Sequence, residues 1–165
     1  TYDYCNSVNE CQDIVNKNIS ENKIQSFEMT GVLLDNNKFW IHPPRGKNFR
    51  ILEMNAFPYV EMNKAKWNYE LDFGNHWGDK KWIEWDGRRK SQSEYSAISD
   101  NKTFKIGSAE FEYLEVQSNT TIPELGNTKS VFYFDPENGF LKMIYKTIDG
   151  KEIIFDLIKI SKDRD

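Results

Sequence analysis

Hydrophobic and polar residues alternate along most of this chain, with the period of two that a half-buried β-strand produces. The clearest run covers residues 67–73, where Trp67, Tyr69, Leu71 and Phe73 alternate with polar neighbours. One face of this segment is therefore predicted to be buried and the other to face water, as in an antiparallel sheet.

Near the N-terminus the apolar residues take the spacing of a helix instead. They fall at Val8, Cys11, Ile14, Val15 and Ile19. Ser7 is a suitable N-cap, and Glu10 would complete a capping box with it. We therefore predict one N-terminal helix, over about residues 8–19.

Turn residues divide the remainder, about residues 26–160, into twelve extended segments, which we count as about ten strands because Phe57–Met62 continues Phe49–Met54 past an irregularity. The extended segments are predicted at Phe27–Leu34, Lys38–His42, Phe49–Met54, Phe57–Met62, Trp67–Phe73, Lys81–Trp85, Tyr95–Ser99, Lys102–Ile106, Ala109–Val116, Ser130–Phe134, Phe140–Thr147 and Glu152–Ile160. Turns are predicted at residues 35–37, 135–139 and 148–150. Residues 117–129 are polar and contain Pro123 and Gly126, so they are predicted to form the longest loop.

Consecutive strands joined by short turns make an antiparallel meander. The edges of so many strands favour closure or strong curling of the sheet. We therefore predict a mainly β fold, either a lipocalin-like barrel or an open half-barrel, with the helix across one face or mouth. No linker or charge run divides the chain, so residues 1–165 are predicted to form a single β-rich domain.

Composition narrows the classes of function. Aromatic residues make up 15% of the 165 residues, which excludes an intrinsically disordered chain. No apolar run approaches the ~18 residues of a transmembrane helix, so no transmembrane segment is predicted. A net charge of -4 argues against nucleic acid as a partner.

The two cysteines, Cys5 and Cys11, both lie near the N-terminus. A pair is too few for a structural zinc site, and an even count favours a disulfide, which implies an oxidising compartment. Two free thiols are the alternative. The chain begins at Thr1 without a signal sequence, so we expect either that a leader has been removed, which could have carried a membrane anchor, or that the chain has been cut.

The densest candidate chemistry lies between Trp67 and Arg89, where four of the five tryptophans fall. Trp77 lies in a loop between Gly74 and Gly78, and a side chain in such a loop is not expected to belong wholly to the core of a sheet. Exposed indoles beside carboxylates suit sugar rings or the mouth of an apolar cavity, whereas packing on a strand face is the alternative. The predicted ligand-binding residues are Tyr69, Phe73, His76, Trp77, Trp82 and Trp85.

The chain has only two imidazoles, His42 and His76. His76 has Asp72 and Asp79 as sequence neighbours, so a general base oriented by a carboxylate is one interpretation, and a metal held by both histidines and Asp79 is another. No nucleophile elbow, phosphate loop, zinc helix or calcium loop occurs. We therefore predict no catalytic residue, no metal and no cofactor, and leave enzymatic activity open.

Residues Phe132–Lys151 contain a strand, an aspartate–x–x–asparagine–glycine turn and a return strand that runs into a second turn. This segment resembles the closing hairpins of bacterial cell-envelope proteins with lipoprotein-carrier-like half-barrels. The resemblance implies a secreted or cell-envelope location, in the periplasm or at the outer-membrane surface. It carries over no functional residue.

Three hypotheses for function follow. The first is a non-enzymatic secreted or envelope domain that binds an apolar or amphipathic small molecule in its concavity. The second is a protein-interaction module of the immunity or assembly type, with a protein as its partner and Trp77 as an anchor. The third is a sugar-binding domain or small hydrolase centred on the loop at His76.

Overall fold

A computed structural model of the chain describes residues 13, 16–17, 20–21, 32–35, 37–44, 49–73 and 89–158, apart from the side chains of residues 73 and 99–101. Within these residues there are nine strands and one short 3-10 helix, Arg50–Met54. The strands are β1 (Val32–Asp35), β2 (Lys38–Ile41), β3 (Tyr59–Glu61), β4 (Lys66–Phe73), β5 (Arg89–Ile106), β6 (Ala109–Ile122), β7 (Gly126–Asp135), β8 (Gly139–Lys146) and β9 (Glu152–Asp156).

The strands form two antiparallel sheets, which confirms the mainly β, antiparallel prediction. β1, β2 and β3 make a small sheet, and β4 to β9 pair in chain order as a six-stranded sheet. Within the described residues β4 and β9 are the two edges of the larger sheet and do not pair with each other. The prediction of a closed lipocalin-like barrel is therefore wrong for this part of the chain.

The predicted helix over residues 8–19 lies mostly outside the described residues. Asp13, Asn16 and Lys17 have helical conformation, and the Glu21 N–H donates to the Lys17 carbonyl at 3.0 Å. No helix in the described ranges reaches seven residues, so the structure does not support the predicted N-terminal helix.

The small sheet lies with β3 on the concave side of the larger sheet. Phe39 pairs with Val60 on one face, and its ring lies 5.1 Å from Phe134. Tyr59 is on the opposite face, because neighbours in a strand alternate, and its ring lies 5.8 Å from Tyr95. The small sheet therefore contacts β7 through the face that carries Phe39 and β5 through the face that carries Tyr59. We call this concave face of the six-stranded sheet the trough.

All three residues of β3 are buried, as a strand with sheet on both sides requires. The rings of Trp67, Tyr69 and Tyr95 meet the Tyr59 ring edge-on, an arrangement worth about 0.5–1.5 kcal/mol per ring pair beyond the area buried. The buried core that results joins both sheets through Ile41, Leu52, Ala56, Tyr59, Val60, Trp67, Tyr95, Val116, Phe132, Phe134, Phe140, Met143 and Tyr145.

The segment that leads into β3 is a 3-10 helix rather than the strand predicted at Phe49–Met54. Leu52 and Met54 are fully buried, on either side of Glu53. This spacing also fits a strand, but a short helical turn lets the segment enter the trough and then extend into β3.

Asn55 follows this turn and ties the segment to the floor of the trough. Its side-chain NH₂ faces the Lys129 carbonyl at 3.1 Å, the Lys146 carbonyl at 3.0 Å and the Ser130 hydroxyl at 3.3 Å. Three acceptors around one amide nitrogen identify this end of the side chain as the donor. Thr128 adds a hydrogen bond to the Met54 carbonyl at 3.0 Å.

Residues 117–129 form the ends of β6 and β7 and the tight turn between them, so the prediction of a long loop here is wrong. Apart from Ile122, the buried side chains of this region carry hydroxyls, which hydrophobic periodicity does not detect. Thr120 is buried and bonds Ser93 at 2.8 Å, while the Ser118 hydroxyl donates to the Ser130 carbonyl at 3.5 Å. Satisfied hydroxyls are tolerated inside a protein, because each has a partner.

Asn55 generates a stability prediction. Asn55→Asp places a carboxylate against two carbonyl oxygens, so we expect a loss of at least ~3 kcal/mol near neutral pH, the cost of a buried unpaired charge. Asn55→Ala removes the donors without adding charge, and we expect a loss of about 1–3 kcal/mol. Urea unfolding followed by tryptophan fluorescence measures both.

Acidification distinguishes the two variants. Protonation of the introduced carboxylate removes its charge, so the Asn55→Asp variant should recover stability relative to Asn55→Ala as the pH falls towards ~4. Equal stability of both variants and the parent protein at neutral pH would contradict the role of Asn55 as the tie between the segment and the sheet.

Candidate functional site

The predicted site residues fall in two groups. His76, Trp77, Trp82 and Trp85 lie outside the described residues, as does the side chain of Phe73. Asp79, Cys5 and Cys11 also lie outside them. The proposed sugar or hydrolase site at His76 and the N-terminal disulfide therefore stay predictions.

Tyr69 is placed by β4, where Trp67 and Tyr69 point into the trough and Asn68 and Glu70 face outward, as the alternation predicts. The ring of Tyr69 lies 5.5 Å from that of Tyr59 on β3. The small sheet thus covers the side chain that the sequence suggested as a ligand contact.

The aromatic residues around Tyr59 form a closed cluster. Trp67 stacks on Tyr95 with ring centroids 5.4 Å apart and an angle of 9° between the planes. The Tyr95 hydroxyl donates to the Phe57 carbonyl at 2.9 Å. Trp67 and Tyr95 are both buried, so these rings are core packing rather than the rim of a cavity.

A buried carboxylate borders this cluster at the end of β3. The Tyr59 hydroxyl donates to Glu61, and Lys64 forms an ion pair with the other carboxylate oxygen, each at 2.5 Å. Burial acts to raise the pKa of the Glu61 carboxyl, but the hydrogen bonds from Lys64 and Tyr59 and the positive charges of Lys64 and Lys38 outweigh it, so this pKa lies below its usual value. Burial is the main cause that raises the pKa of the Tyr59 hydroxyl, and its hydrogen bond to Glu61 is the second. The hydroxyl therefore stays protonated and donates to Glu61.

His42 is held by packing and a backbone contact. Its ring lies 4.6 Å from the Phe57 ring and 6.0 Å from the Trp40 ring, and Nδ1 is 2.9 Å from the Pro43 carbonyl. Among the described residues no group of three or more His, Cys, Asp or Glu side chains could hold a metal ion.

The outer face of the large sheet carries a feature that the sequence did not indicate. The pairing of β5 with β6 is irregular between Ile98 and Lys102. Beyond this point the hairpin continues as Lys102–Tyr113, which we call the arm. Phe104 on the arm lies 6.1 Å from Tyr133, which pairs with Lys142 and so faces away from the trough. The arm therefore folds across the outer face of β7 and β8.

An ion pair and a ring stack hold the base of the arm. Lys102 lies 2.9 Å from Glu115, which also accepts a hydrogen bond from Gln117 at 2.7 Å. Burial acts to raise the pKa of the Glu115 carboxyl, but the bonds from Gln117 and Lys102 and the charge of Lys102 lower it overall. Tyr113 stacks on Tyr133 with centroids 4.2 Å apart.

A groove of about 400 Å³ lies between the tip of the arm and the ends of β8 and β9. Its apolar lining includes Phe104 and Ile158, and the Ile158 side chain is 76% exposed. Lys142 and Asp156 form an ion pair at 2.9 Å on one side. Its lining residues are Phe104, Lys105, Ile106, Gly107, Lys142, Asp156, Leu157 and Ile158.

The groove combines apolar surface with uneven charge. Ile106 and Leu157 pack with Leu141 beneath it, which gives it a fixed base. Lys105 is exposed and forms no ion pair in the described part of the chain, where its cross-strand neighbour Glu110 accepts a hydrogen bond from Thr103. Lys142, in contrast, is paired with Asp156. Such a surface can hold a hydrocarbon or aromatic group and place an anionic end near Lys105.

Neither a protein-family model, nor a curated protein, nor a solved structure matches the chain significantly. In the described ranges no helix is long and apolar enough to span a membrane.

The groove residues were missed because their sequence pattern is that of an ordinary hairpin. Residues 102–106 and 109–116 were correctly predicted as strands, but strand prediction does not say that a hairpin bends back over its own sheet. The one available signal is local: Ser99–Asn101 interrupts the apolar alternation at the point where the pairing of β5 with β6 becomes irregular.

Glu61 gives a prediction for pH dependence. Its folded pKa is below the unfolded value of about 4.3, so its contacts stabilise the protein above that pH and the contribution is lost as the pH falls through the folded pKa. We expect Glu61→Gln to lose about 1–2 kcal/mol at pH ~7, with a smaller difference from the parent at pH ~3. Urea unfolding at the two pH values measures this.

Glu70→Gln is the matched control, because Glu70 lies exposed on the outer face of β4. Its effect should stay within about 0.5 kcal/mol at both pH values. A Glu61→Gln variant with the same stability as the parent at neutral pH would show that the buried carboxylate does not stabilise the end of β3.

Proposed function

We propose that this protein is a binding domain for an amphipathic small molecule with an anionic end, and that the ligand occupies the groove beneath the arm. The observation that carries the proposal is the groove itself, an open space of about 400 Å³ with an apolar base and a lysine without an ion-pair partner in the described chain. Small-molecule sites span about 300–1,000 Å³ and are mostly apolar with a few polar groups.

The trough is the other location that a ligand could take, and it is already filled by β3, which supports the groove as the site. A ligand in the concavity, as the sequence suggested, would have to displace β3, whose residues are buried against both walls. The groove requires no such displacement, because Ile158 on its border is already exposed.

The proposal keeps the location expected from the sequence, which is secreted or in the bacterial cell envelope, at the periplasm or outer-membrane surface. The curled, open six-stranded sheet supports the interpretation as a half-barrel, and β7, β8 and β9 form the consecutive hairpins on which the resemblance to lipoprotein-carrier-like domains rests. Fractionation of source cells tests it, and recovery of the protein only with the cytosol would contradict it.

Ile158 and Ile154 provide a matched pair for a binding test. Both are exposed, at 76% and 47%, but only Ile158 lines the groove. We expect 11-(dansylamino)undecanoate to bind the parent protein with increased fluorescence, and Ile158→Glu to weaken binding at least ~10-fold by placing a charge against the chain and the anionic end. Ile154→Glu should leave the affinity unchanged.

Displacement tests the charge preference. Decanoate should compete with the probe, whereas decyltrimethylammonium should not, because it would bring a second cation to Lys105. Absence of probe binding, or equal loss in the two glutamate variants, would reject the groove as the site. Equal competition by both amphiphiles would reject the anionic preference.

A second candidate, a protein-interaction module, is favoured by a different observation. Within the part of the chain that the structure describes, β1 is an edge strand whose three apolar side chains are all exposed. Exposed hydrophobic edges of this kind are sites of strand pairing between chains.

A further inference from the structure

The outer edge of the small sheet is unusual in its side chains. Among the described residues β1 pairs with β2 alone, and Val32, Leu33 and Leu34 are 47%, 56% and 62% exposed. Large apolar residues on both faces of an edge strand leave a surface that pairs readily with another strand.

In the described residues the two edges of the larger sheet carry more charges than β1 does. β9 has Glu152 and Asp156 with side chains on one face, and β4 has Glu70 and Asp72 exposed on its outer face. If β9 paired with its own copy about Ile154, Glu152 would stand opposite Asp156 of that copy. Charges on an edge discourage pairing, and the one charge of β1 is Asp35 at its end, opposite Lys38 of β2, so Val32–Leu34 carries none.

Backbone hydrogen bonds show which groups of β1 point outward. Ile41 N–H donates to the Pro58 carbonyl at 3.0 Å, and the Asn37 carbonyl accepts from Met62 at 2.8 Å, so the odd-numbered residues of β2 face β3. The alternate residues, including Trp40, therefore face β1, where Trp40 pairs with Leu33. The N–H and C=O groups of Val32 and Leu34 consequently point away from the sheet.

We propose that β1 pairs antiparallel with β1 of a second copy of this chain, about a two-fold axis at Leu33. In this register Val32 stands opposite the partner's Leu34, and Leu34 opposite the partner's Val32, so all the outward N–H and C=O groups of these residues bond at once. A register centred on Leu34 or on Val32 would pair only one outward residue of each β1 with its copy.

Side chains on both faces of the joined sheet fit this register. Leu33 lies beside Trp40. In the dimer the two Leu33 side chains therefore lie side by side in one row, between the Trp40 side chains of the two copies. Val32 and Leu34 lie beside Ile41 and Phe39 on the other face. The joined sheet therefore has a continuous apolar strip on each face, and no charge faces a like charge within Val32–Leu34.

The interface is small, and this sets the strength expected. Three residues from each copy are far fewer than the ~20–30 residues a side of a standard interface. We therefore expect a reversible dimer that forms as the protein concentration rises into the upper micromolar range, and not an obligate one.

Sedimentation velocity over a concentration series tests the association. Leu33→Lys places two ammonium groups opposite each other at the two-fold axis, so we expect it to weaken the dimer at least ~10-fold. Ile154→Lys is the matched control, because it adds the same charge to an exposed isoleucine of the other edge, and it should leave the association unchanged.

Cysteine cross-linking tests the register, with Cys5 and Cys11 replaced by serine. Leu33 and its copy form a non-hydrogen-bonded pair with Cα atoms about 4.5 Å apart, so Leu33→Cys should give a disulfide-linked dimer under mild oxidation. Leu34→Cys should not, since its copy lies roughly 8–9 Å away, beyond the reach of a disulfide.

A chain that stays monomeric at millimolar concentration would overturn the proposal. So would a dimer that Leu33→Lys leaves intact, which would place the interface elsewhere. Cross-linking of Leu34→Cys as efficient as that of Leu33→Cys would reject the register. Binding of amphiphile in the groove is a separate measurement, and its failure would leave these results unaffected.

Discussion

The seating of residues 50–61 in the trough is the constraint on which the rest of this structure depends. The curled six-stranded sheet has one aromatic wall on β4–β5 and another on β7–β8. The two faces of β3 pack toward these two walls within one core. Asn55 fixes the depth of the segment through backbone carbonyls of β7 and β8. Without this segment both walls would expose apolar surface. The curvature of the large sheet and the position of the small sheet therefore stabilise each other.

This arrangement leaves open space on the other side of the described part of the sheet. The interior is occupied by side chains of the chain itself, whereas the arm leaves a groove where it crosses the outer face. Core and groove therefore lie on opposite faces of the same strands. β8 shows this directly, because Met143 is part of the core while Lys142 lines the groove. Substitutions at the exposed margin of the groove can thus change its surface without loss of the core.

Sequence reasoning succeeded where burial follows side-chain parity, as in residues 67–73, and where turn residues mark the ends of strands, as in residues 135–139. It failed at residues 117–129, because three of the four buried side chains there are hydroxyls, each bonded to another hydroxyl or to a backbone carbonyl. It also could not distinguish a closed barrel from an open sheet, since that depends on the insertion of a distant segment. The alternation at Tyr69 predicted a buried face correctly, but not that Tyr59 would be the group that buries it.

An open sheet has edges, and the chain treats its edges in two ways. The edges of the large sheet carry carboxylates, and charge is a common protection against unwanted pairing. The small sheet cannot protect β1 by burial, because placing β3 at the bottom of the trough places β1, two strands away, on the outside. The filled interior and the exposed apolar edge thus have one origin. A charge at Leu33 would protect the edge at no cost to the core, so its apolar character is a property of the surface rather than a requirement of the fold.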